Sequence, residues 1–383
     1  MRFLARCGSA AAFLAMAAAP AFAADEAKVD TGDAAWMLIS TALVLMMTVP
    51  GVALFYAGMV RKKNVLATMM QSFAICALVS VLWMVAGYSL AFGEGNAWIG
   101  DFSRFFLGGL ADNWDKPFTL GSGDAAVATT IPESIFLTFQ MTFAIITGAL
   151  ITGAVADRMK FSALLVFIGL WTLLVYSPIA HWVWHPNGWI FELGALDFAG
   201  GTVVHINAGV AGLVAALVLG KRIGYGTENL SPFNLGLAVI GAALLWVGWF
   251  GFNGGSALAA NDDASTAIFN THLAACTAAL VWSLIERIRI GKATSIGIVT
   301  GAVAGLATVT PAAGYIGPMG AILLGLLGGS VCFFLVQVVK HNWKIDDSLD
   351  VFHTLREGGR ALRKTWGTAS RALDRADAAQ KEF

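Results

Sequence analysis

The chain has 383 residues, of which 57% are hydrophobic and only 13% are charged, and its formal net charge is zero. An average soluble domain is about 25% charged, so this composition indicates a membrane protein, and the neutral charge gives no indication of nucleic acid as a partner. Glycine accounts for 43 residues, which in a helical membrane protein favours helices that approach each other closely.

Residues 1–23 form the first recognisable element. They begin with a short basic stretch, continue as an apolar run and end with alanine at positions 21 and 23. This pattern predicts a cleavable secretory signal peptide and not a membrane span. The mature N-terminus is therefore expected outside the cytoplasm, and by analogy the protein is expected in a bacterial inner membrane.

Nine apolar segments follow, each about long enough for a spanning helix, since roughly 20 residues cross the hydrocarbon. They lie near residues 34–59, 65–92, 132–155, 161–184, 200–219, 233–255, 264–285, 294–310 and 317–339. With the N-terminus outside, the cytoplasmic loops hold Arg61, Lys62, Lys63, Arg158, Lys160, Lys221, Arg222, Arg287, Arg289, Lys292, Lys340 and Lys344. The loops between spans on the opposite side hold only two basic residues, Arg104 and Lys116. The positive-inside rule thus agrees with the orientation that the signal peptide predicts.

Three further features of the sequence carry their own patterns. Tryptophans 98, 114, 182, 184 and 189 cluster near the predicted outer ends, as is typical of interfacial aromatics. The tract TPAAGYIGPMG at 310–320 predicts either an outer loop or a broken helix that lines a cavity. After Lys344 the apolar pattern stops, and residues 351–383 predict a solvated amphipathic tail on the cytoplasmic side.

His205 stands in a run that has no charge between Asp197 and Lys221. A helix places four residues on one face, namely His205, Gly209, Gly212 and Ala216. This face of small residues is expected to pack against a neighbouring helix, so the imidazole should point away from lipid. Either the histidine has a structural role, bonded to a neighbouring backbone, or it serves a pathway, a proton relay or a haem.

Haem ligation is the least favoured of these roles for His205. A bis-histidine site needs two imidazoles at matching depth, but His181 and His185 lie near an outer end and His272 lies in another span. We therefore expect no haem, no metal and no other cofactor.

Asp197 precedes the same helix and is followed by Phe-Ala-Gly-Gly. An aspartate at this position caps the free amides of a helix N-terminus and interacts favourably with the helix dipole. The alternative is a fixed negative charge that draws a cation toward the outer mouth, and both roles can hold together.

Aromatic residues recur near the same outer ends. Phe139 and Phe143 lie one helical turn apart, Trp184 closes the fourth segment, and Phe252 and Ser256 are likewise one turn apart. Singly, each is more often a core or interfacial residue. Together they offer ring faces and one hydroxyl, which suits a small cation.

Taken together, the motifs of this chain resemble those of the ammonium transporter family (Amt/Mep/Rh). The stretch DFAGGTVVHINAGVAGLVAALVLGKR matches the signature helix of that family, and four other blocks are similar to it over residues 33–352. These blocks are PGVALFYAGMVRKKNVL, GYSLAFGEGN, WFGFNGGSA and TPAAGYIG. The resemblance implies an all-α polytopic membrane protein of two inverted five-helix repeats plus one helix, assembled as a homotrimer in the lipid bilayer with a pore in each subunit. It implies transport and not enzymatic catalysis.

The resemblance also implies roles for particular residues. Phe139, Phe143, Trp184 and Ser256 are similar to the outer ammonium recruitment site, and Asp197 to the essential acid beside it. Phe143 and Phe252 resemble the stacked gate, whereas His205 and Thr310 resemble residues that line the pore. The implied mechanism is capture of ammonium, loss of a proton at the mouth, and passage of ammonia through an apolar constriction.

The chain departs from the family near its end. The family pattern Asp-x-Phe-x-x-His begins at Asp350, but its sixth position is Leu355, and His353 comes two residues early. Beyond His353 nothing resembles the family, so nine spans are expected instead of eleven, as in a frameshifted gene end or a divergent paralogue.

The expected domains are the signal peptide at 1–23, a membrane domain at 24–345 and a polar cytoplasmic tail at 346–383. The tail motif that docks a PII-type regulator is not carried over.

Two functions follow from these observations. The first is an ammonium/ammonia transporter for nitrogen uptake. The second is a non-conducting ammonium-binding or sensing subunit, because the second pore histidine and the last two helices are missing from the pattern.

Overall fold

The computed structural model describes residues 28–225, 227–228, 230–343 and 345–349. The predicted signal peptide at 1–23 and the stretch with His353 and Leu355 lie outside the described residues. Within the described ranges, nine helices are long and apolar enough to cross a membrane, which confirms the predicted number of spans. They are α1 (Thr31–Met59), α2 (Lys62–Phe92), α3 (Glu133–Val155), α4 (Phe161–Glu192), α5 (Gly201–Leu219), α6 (Leu235–Ala257), α7 (Asp262–Ile290), α8 (Ser295–Ala312) and α9 (Pro318–Gln337).

We call the face at which α1 begins the outer face and the opposite, basic face the inner face, after the predicted orientation. Several helices contain wider π-helical turns, such as Met47–Val52 in α1, which includes Pro50, and Gly201–Ile206 at the start of α5. Such turns often occur at functional sites, and the second one carries His205.

The helices form two repeats of opposite orientation. In the first repeat, α1 packs against α2 and α3, and α2 packs against α3 and α4. The same pairings recur later, since α6 packs against α7 and α8, and α7 packs against α8 and α9. Because the first repeat has an odd number of helices, α6 begins at the inner face and the second repeat is inverted. Among the described residues the first repeat is complete at α5, and the second comprises α6 to α9.

The two repeats meet where α1 crosses α6, and this crossing requires glycine. A Cβ atom on Gly241 would lie 2.2 Å from the amide nitrogen of Phe55, and one on Gly58 would lie 2.4 Å from that of Ala238. The backbones therefore touch directly, as small residues permit between membrane helices.

A β-hairpin stands between α2 and α3 at the outer face, where the sequence predicted only a loop. Strand β1 (Pro117–Leu120) pairs antiparallel with β2 (Val127–Pro132), and Leu120 lies opposite Val127. The physical reason is the turn between the strands, where Gly121 has a φ of +76° and Gly123 a φ of +72°. Glycine adopts these angles at little cost, which allows a short connection.

An ionic clamp closes the inner face after α9. Asp346 is buried and accepts hydrogen bonds from Arg222 Nη2 at 2.8 Å and from the Arg222 amide at 2.8 Å. Arg158 Nη1 lies 3.6 Å from the same carboxylate, and Arg158 also donates to the Gly220 carbonyl oxygen. Burial alone would raise the pKa of Asp346, but the hydrogen bonds and charge of Arg222 lower it below its ordinary value.

We expect Asp346→Asn to destabilise the protein by about 3 kcal/mol, because Arg222 and Arg158 would keep their buried charges without a carboxylate. Since the folded pKa lies below the unfolded value of about 3.9, this stabilisation is complete above that pH and is lost as the pH falls through the folded pKa. Thermal unfolding midpoints in detergent should therefore differ between wild type and variant at neutral pH and converge in acid.

The control for this prediction is Glu228→Gln. Glu228 pairs with Arg61 at 3.4 Å, but its side chain is 58% exposed, so its loss should cost less than about 0.5 kcal/mol. An Asp346→Asn difference that stays constant into acid would contradict the assignment of the clamp.

Candidate functional site

An aromatic pocket of about 110 Å³ lies at the outer face. Its wall includes Phe143 from α3, Trp184 from α4 and Ser256 from α6. The rings of Phe143 and Trp184 are 5.8 Å apart and nearly perpendicular, at 83°. Ser256 Oγ donates its proton to the Phe252 carbonyl oxygen at 2.8 Å, so the hydroxyl offers a ligand its acceptor lone pairs. The pocket therefore combines ring faces with a hydrogen-bond acceptor.

Phe139 stands behind this pocket and is not among its lining residues. Its ring centroid is 4.9 Å from that of Phe143, and its edge packs against Gly255, where a Cβ atom would lie 2.8 Å from the ring. Of the four residues that resemble a recruitment site, three line the pocket and Phe139 supports one of them.

Seven of the ten lining residues were not singled out from the sequence, among them Leu120, Val127 and Gln140. Leu120 and Val127 reach the pocket from the hairpin, and Gln140 reaches it from α3. The Gln140 Oε1 atom is buried and has no hydrogen-bond partner among the described residues. An amide inside the apolar stretch TFQMTF was the available signal, whereas nothing in the sequence placed the hairpin beside the pocket.

Two stacked phenyl rings close the inner side of the pocket. The ring centroids of Phe143 and Phe252 are 4.2 Å apart with an angle of 23° between the planes. Both side chains are buried, with 1% and 0% of their surface exposed. The structure thus brings the two predicted gate residues into direct contact.

His205 follows immediately below the phenyl rings. Its ring centroid is 5.8 Å from that of Phe252, and it stacks on Trp249 at 5.3 Å and 23°. It is 1% exposed, and neither ring nitrogen has a hydrogen-bond partner among the described residues. The predicted helical face is buried as expected, and its other members are Gly209, Gly212 and Ala216.

Trp249 and Thr310 form a fixed pair beside His205. The Trp249 indole donates to Thr310 Oγ1 at 2.8 Å, and the threonine hydroxyl in turn donates to the Leu306 carbonyl oxygen at 2.8 Å. Thr310 therefore orients the indole on which His205 stacks. Trp249 was missed in the sequence, although it lies three residues before Phe252 and hence on the same side of α6.

Asp197 caps α5 with both carboxylate oxygens. Oδ1 accepts from the amides of Gly200 and Gly201 at 2.9 and 2.6 Å, and Oδ2 accepts from those of Thr202 and Val203 at 2.9 and 3.1 Å. Burial raises the pKa of Asp197, and these four hydrogen bonds oppose the rise. The capping role is confirmed, and Trp184 connects it to the pocket by donating to the Asp197 carbonyl oxygen at 3.0 Å.

The other histidines in the spans contact different partners. His181 and His185 stack on each other at 4.5 Å, and the His181 nitrogens lie within hydrogen-bond distance of the carbonyl oxygens of Ala91 and Asn96. His272 packs against the ring of Trp246 at 5.5 Å. None of these contacts involves His205, which lies alone among histidines in the described part of the chain.

Below His205, a second and larger space extends to the inner face. This inner cavity has a volume of about 600 Å³, and His205 and Trp249 form part of its wall. The outer pocket, the phenyl pair, His205 and the inner cavity therefore follow one another along a line through the bundle. In the part of the chain that the structure describes, nine helices long and apolar enough to span a membrane surround this series of spaces, which is the arrangement of a membrane transporter or channel for a small polar solute.

Comparison with known proteins gives the family. The model of the Ammonium Transporter Family matches residues 35–355. An ammonium transporter of Bacillus subtilis (strain 168) is 49% identical over 342 residues, which cover 89% of this chain and 80% of that protein. One of Aquifex aeolicus (strain VF5) is 48% identical over 333 residues, covering 86% and 74% of the two chains. The chain belongs to the ammonium transporter family, as its motifs predicted.

Solved structures agree with this assignment. The crystal structure of Candida albicans Mep2 matches with a TM-score of 0.78 at 36% identity and covers 87% of this chain and 71% of that chain. A structure described as a Sensor Amt Protein matches with a TM-score of 0.78 at 28% identity and covers 86% and 80% of the two chains. The nine helices therefore adopt the ammonium transporter fold.

Proposed function

We propose that this chain takes up ammonium across a bacterial inner membrane by passing ammonia through the line of spaces that contains His205. The observation that carries the proposal is the order of groups along that line. An aromatic pocket lies outermost, the stacked Phe143 and Phe252 follow, and His205 and the inner cavity lie beyond.

The outer pocket suits a small cation. A cation near an aromatic ring is attracted by the ring quadrupole, and this attraction grows when water is excluded. Phe143 and Trp184 present perpendicular rings, while Ser256 Oγ and Gln140 Oε1 provide oxygen acceptors. Ammonium can donate hydrogen bonds to such oxygens, whereas potassium cannot.

The phenyl pair requires the solute to lose its charge. A charge near the centre of a membrane costs several kcal/mol, and two buried phenyl rings supply no hydrogen bonds that reduce this cost. Ammonium can give its proton to solvent water at the outer pocket and pass as neutral ammonia, while potassium keeps its charge and is excluded. Beyond the rings, the His205 nitrogens are the first polar atoms that ammonia would meet.

The oligomeric state and the orientation in the membrane are inferred from the family and from the charge pattern. We propose a homotrimer embedded in the lipid bilayer, with a periplasmic mature N-terminus and a membrane domain at residues 24–345. The basic inner loops support this orientation by the positive-inside rule. A PII-type regulator is not proposed as a partner, since the tail lacks the motif.

Uptake of labelled methylammonium tests the proposal directly. The full chain is expressed in a strain that lacks other ammonium transporters, beside the empty vector and a His205→Ala variant. We expect uptake from the full chain and loss of at least about nine tenths of it in the variant, since alanine removes the unpaired ring nitrogens that follow the phenyl pair.

The same experiment separates the second candidate function, a non-conducting ammonium-binding or sensing subunit. A sensing function is a second candidate because one similar structure is described as a Sensor Amt Protein. Binding of ammonium to the purified chain without any uptake in cells would refute transport and support a sensor.

Ser256→Ala should weaken recruitment without closing the pathway. The variant removes one oxygen acceptor from the pocket, which is worth about 1 kcal/mol, or about fivefold in KM for methylammonium, while the maximal rate stays within a factor of about two. Ser265→Ala is the matched control, because Ser265 is exposed at the start of α7. An equal loss of maximal rate in both variants would contradict a role for Ser256 in binding.

A further inference from the structure

The inner cavity is large for a pathway that carries a single ammonia molecule. Its volume of about 600 Å³ is enclosed largely by apolar side chains from five helices. These include Phe55, Leu150, Leu245, Val303 and Val336. Arg222, Tyr225 and Glu228 stand at the rim on the inner face. The cavity therefore has room for several apolar side chains of a peptide segment that lies along it.

The repeat explains where this space comes from. In the first repeat, α3 packs against α5 along its length. In the second repeat α8 occupies the position of α3, and Ile296, Thr300 and Val303 of α8 face the cavity. Among the described residues, a cavity thus occupies the position that a helix fills in the first repeat.

Polar groups in this cavity lack partners. The nitrogens of His205 and the Trp282 indole nitrogen are buried without a hydrogen-bond partner among the described residues. Glu286 is 7% exposed and accepts hydrogen bonds from Thr294, but it forms no ion pair within the described ranges. A buried carboxylate without a cation is costly, so the site favours a basic occupant.

The chain itself enters this cavity after the inner clamp. Leu349 and Ser348 line the cavity, and the segment 350–383 continues from there. Four large apolar residues of that segment are spaced at i, i+7, i+11 and i+18, which corresponds to one face of a helix. They are Leu355, Leu362, Trp366 and Leu373. The basic residues fall on the other side of this pattern, namely Arg356, Arg360, Arg363, Lys364, Arg371, Arg375 and Lys381.

We propose that the segment 350–383 docks in the inner cavity, with its apolar stripe against the cavity wall and a basic side chain beside Glu286. We assign this segment to the cavity and not to the lipid surface for two reasons. Leu349, which directly precedes the segment, lines the cavity. The buried carboxylate of Glu286 is stabilised by a cation inside the cavity. The proposal does not depend on transport, since docking is measured on the protein itself.

Cysteine crosslinking in the full-length chain tests the docking. In a background with the native cysteines replaced by alanine, Ala369→Cys in the segment is combined with Thr300→Cys in the cavity and treated with a short bismaleimide in membranes. The control pair uses Ile298→Cys, two residues away on α8, whose side chain is 44% exposed on the outside of the bundle. We expect about tenfold more intramolecular crosslinking in the Thr300 pair, because docking raises the effective concentration of the two thiols.

Each other outcome overturns the proposal. Equal crosslinking of both pairs would place the segment outside the cavity, and crosslinks between two chains would assign the cavity to a second copy. Size-exclusion profiles that match wild type show that the variants fold.

A second measurement leaves the segment unaltered. The protein is reconstituted in neutral phosphatidylcholine vesicles and digested briefly with trypsin, which cuts at the arginines and lysines of the segment. Glu286→Gln should accelerate cleavage about tenfold, because a hydrogen-bonded charge pair is lost. Asp263→Asn should leave the rate unchanged, since Asp263 is an exposed acid at the start of α7, on the opposite face from the cavity rim. Protection that requires anionic phosphatidylglycerol and ignores Glu286→Gln would place the segment on the lipid surface and refute docking.

Discussion

Asp197→Ala is expected to destabilise the protein by about 4 kcal/mol, because four amides at the start of α5 lose their only side-chain acceptor and each buried, unpaired amide costs about 1 kcal/mol or more. The amides belong to residues 200–203, and the carboxylate of Asp197 accepts from all four. Trp184 keeps its partner in this variant, since its indole donates to the backbone carbonyl oxygen of residue 197. Thermal unfolding in detergent measures the effect.

Two controls separate the cap from the charge. Asp263→Ala removes an exposed acid at the start of α7 on the same face, and it should change stability by less than about 0.5 kcal/mol. Asp197→Asn keeps one acceptor oxygen and removes the charge, so it should cost about half as much as alanine. A midpoint for Asp197→Ala equal to that of Asp263→Ala would show that the cap is not structural.

Much of the fold could be predicted because the controlling signal is local. A run of apolar residues must cross the membrane as a helix, since backbone groups in lipid need internal hydrogen bonds. The nine spans therefore followed from hydropathy alone. The buried face of His205 followed from helical periodicity in the same way.

The parts of the site that could not be predicted depend on contacts between distant segments. Phe139 and Phe143 share a helical face, yet only Phe143 lines the pocket, because Gly255 of α6 lets the ring of Phe139 pack behind it. The bond from Trp249 to Thr310 joins residues 61 positions apart. Helical periodicity cannot give such distances, since they are set by how α6 and α8 pack.

The hairpin and the inner clamp were missed for a related reason. Leu120 and Val127 lie in a short polar stretch without an apolar run, and their place beside the pocket is fixed by tertiary packing. Asp346 was assigned to the polar cytoplasmic tail at 346–383, whereas the structure buries it against Arg222. The sequence around a single acid in a polar segment does not indicate which distant residue will pair with it and bury it.

Phe252→Ala is expected to open the pathway to cations. The stacked rings of Phe143 and Phe252 separate the outer pocket from the inner cavity, and removal of one ring joins the two spaces. Water that enters the gap would reduce the cost of a charge there, and a reduction of about 1.4 kcal/mol raises potassium flux about tenfold. Potassium flux in proteoliposomes measures the change.

The matched control for this change is Phe250→Ala on the same helix. Phe250 is half-buried and its ring lies 6.0 Å from that of His272, so this variant removes a ring of the same size away from the passage. Both variants are expected to lose stability, by about 3 kcal/mol where the ring is fully buried, and therefore flux is compared per folded protein. Potassium flux that rises equally in both variants would indicate general loosening of the bundle. Flux that rises in neither would move the barrier inward, to the stack of His205 on Trp249.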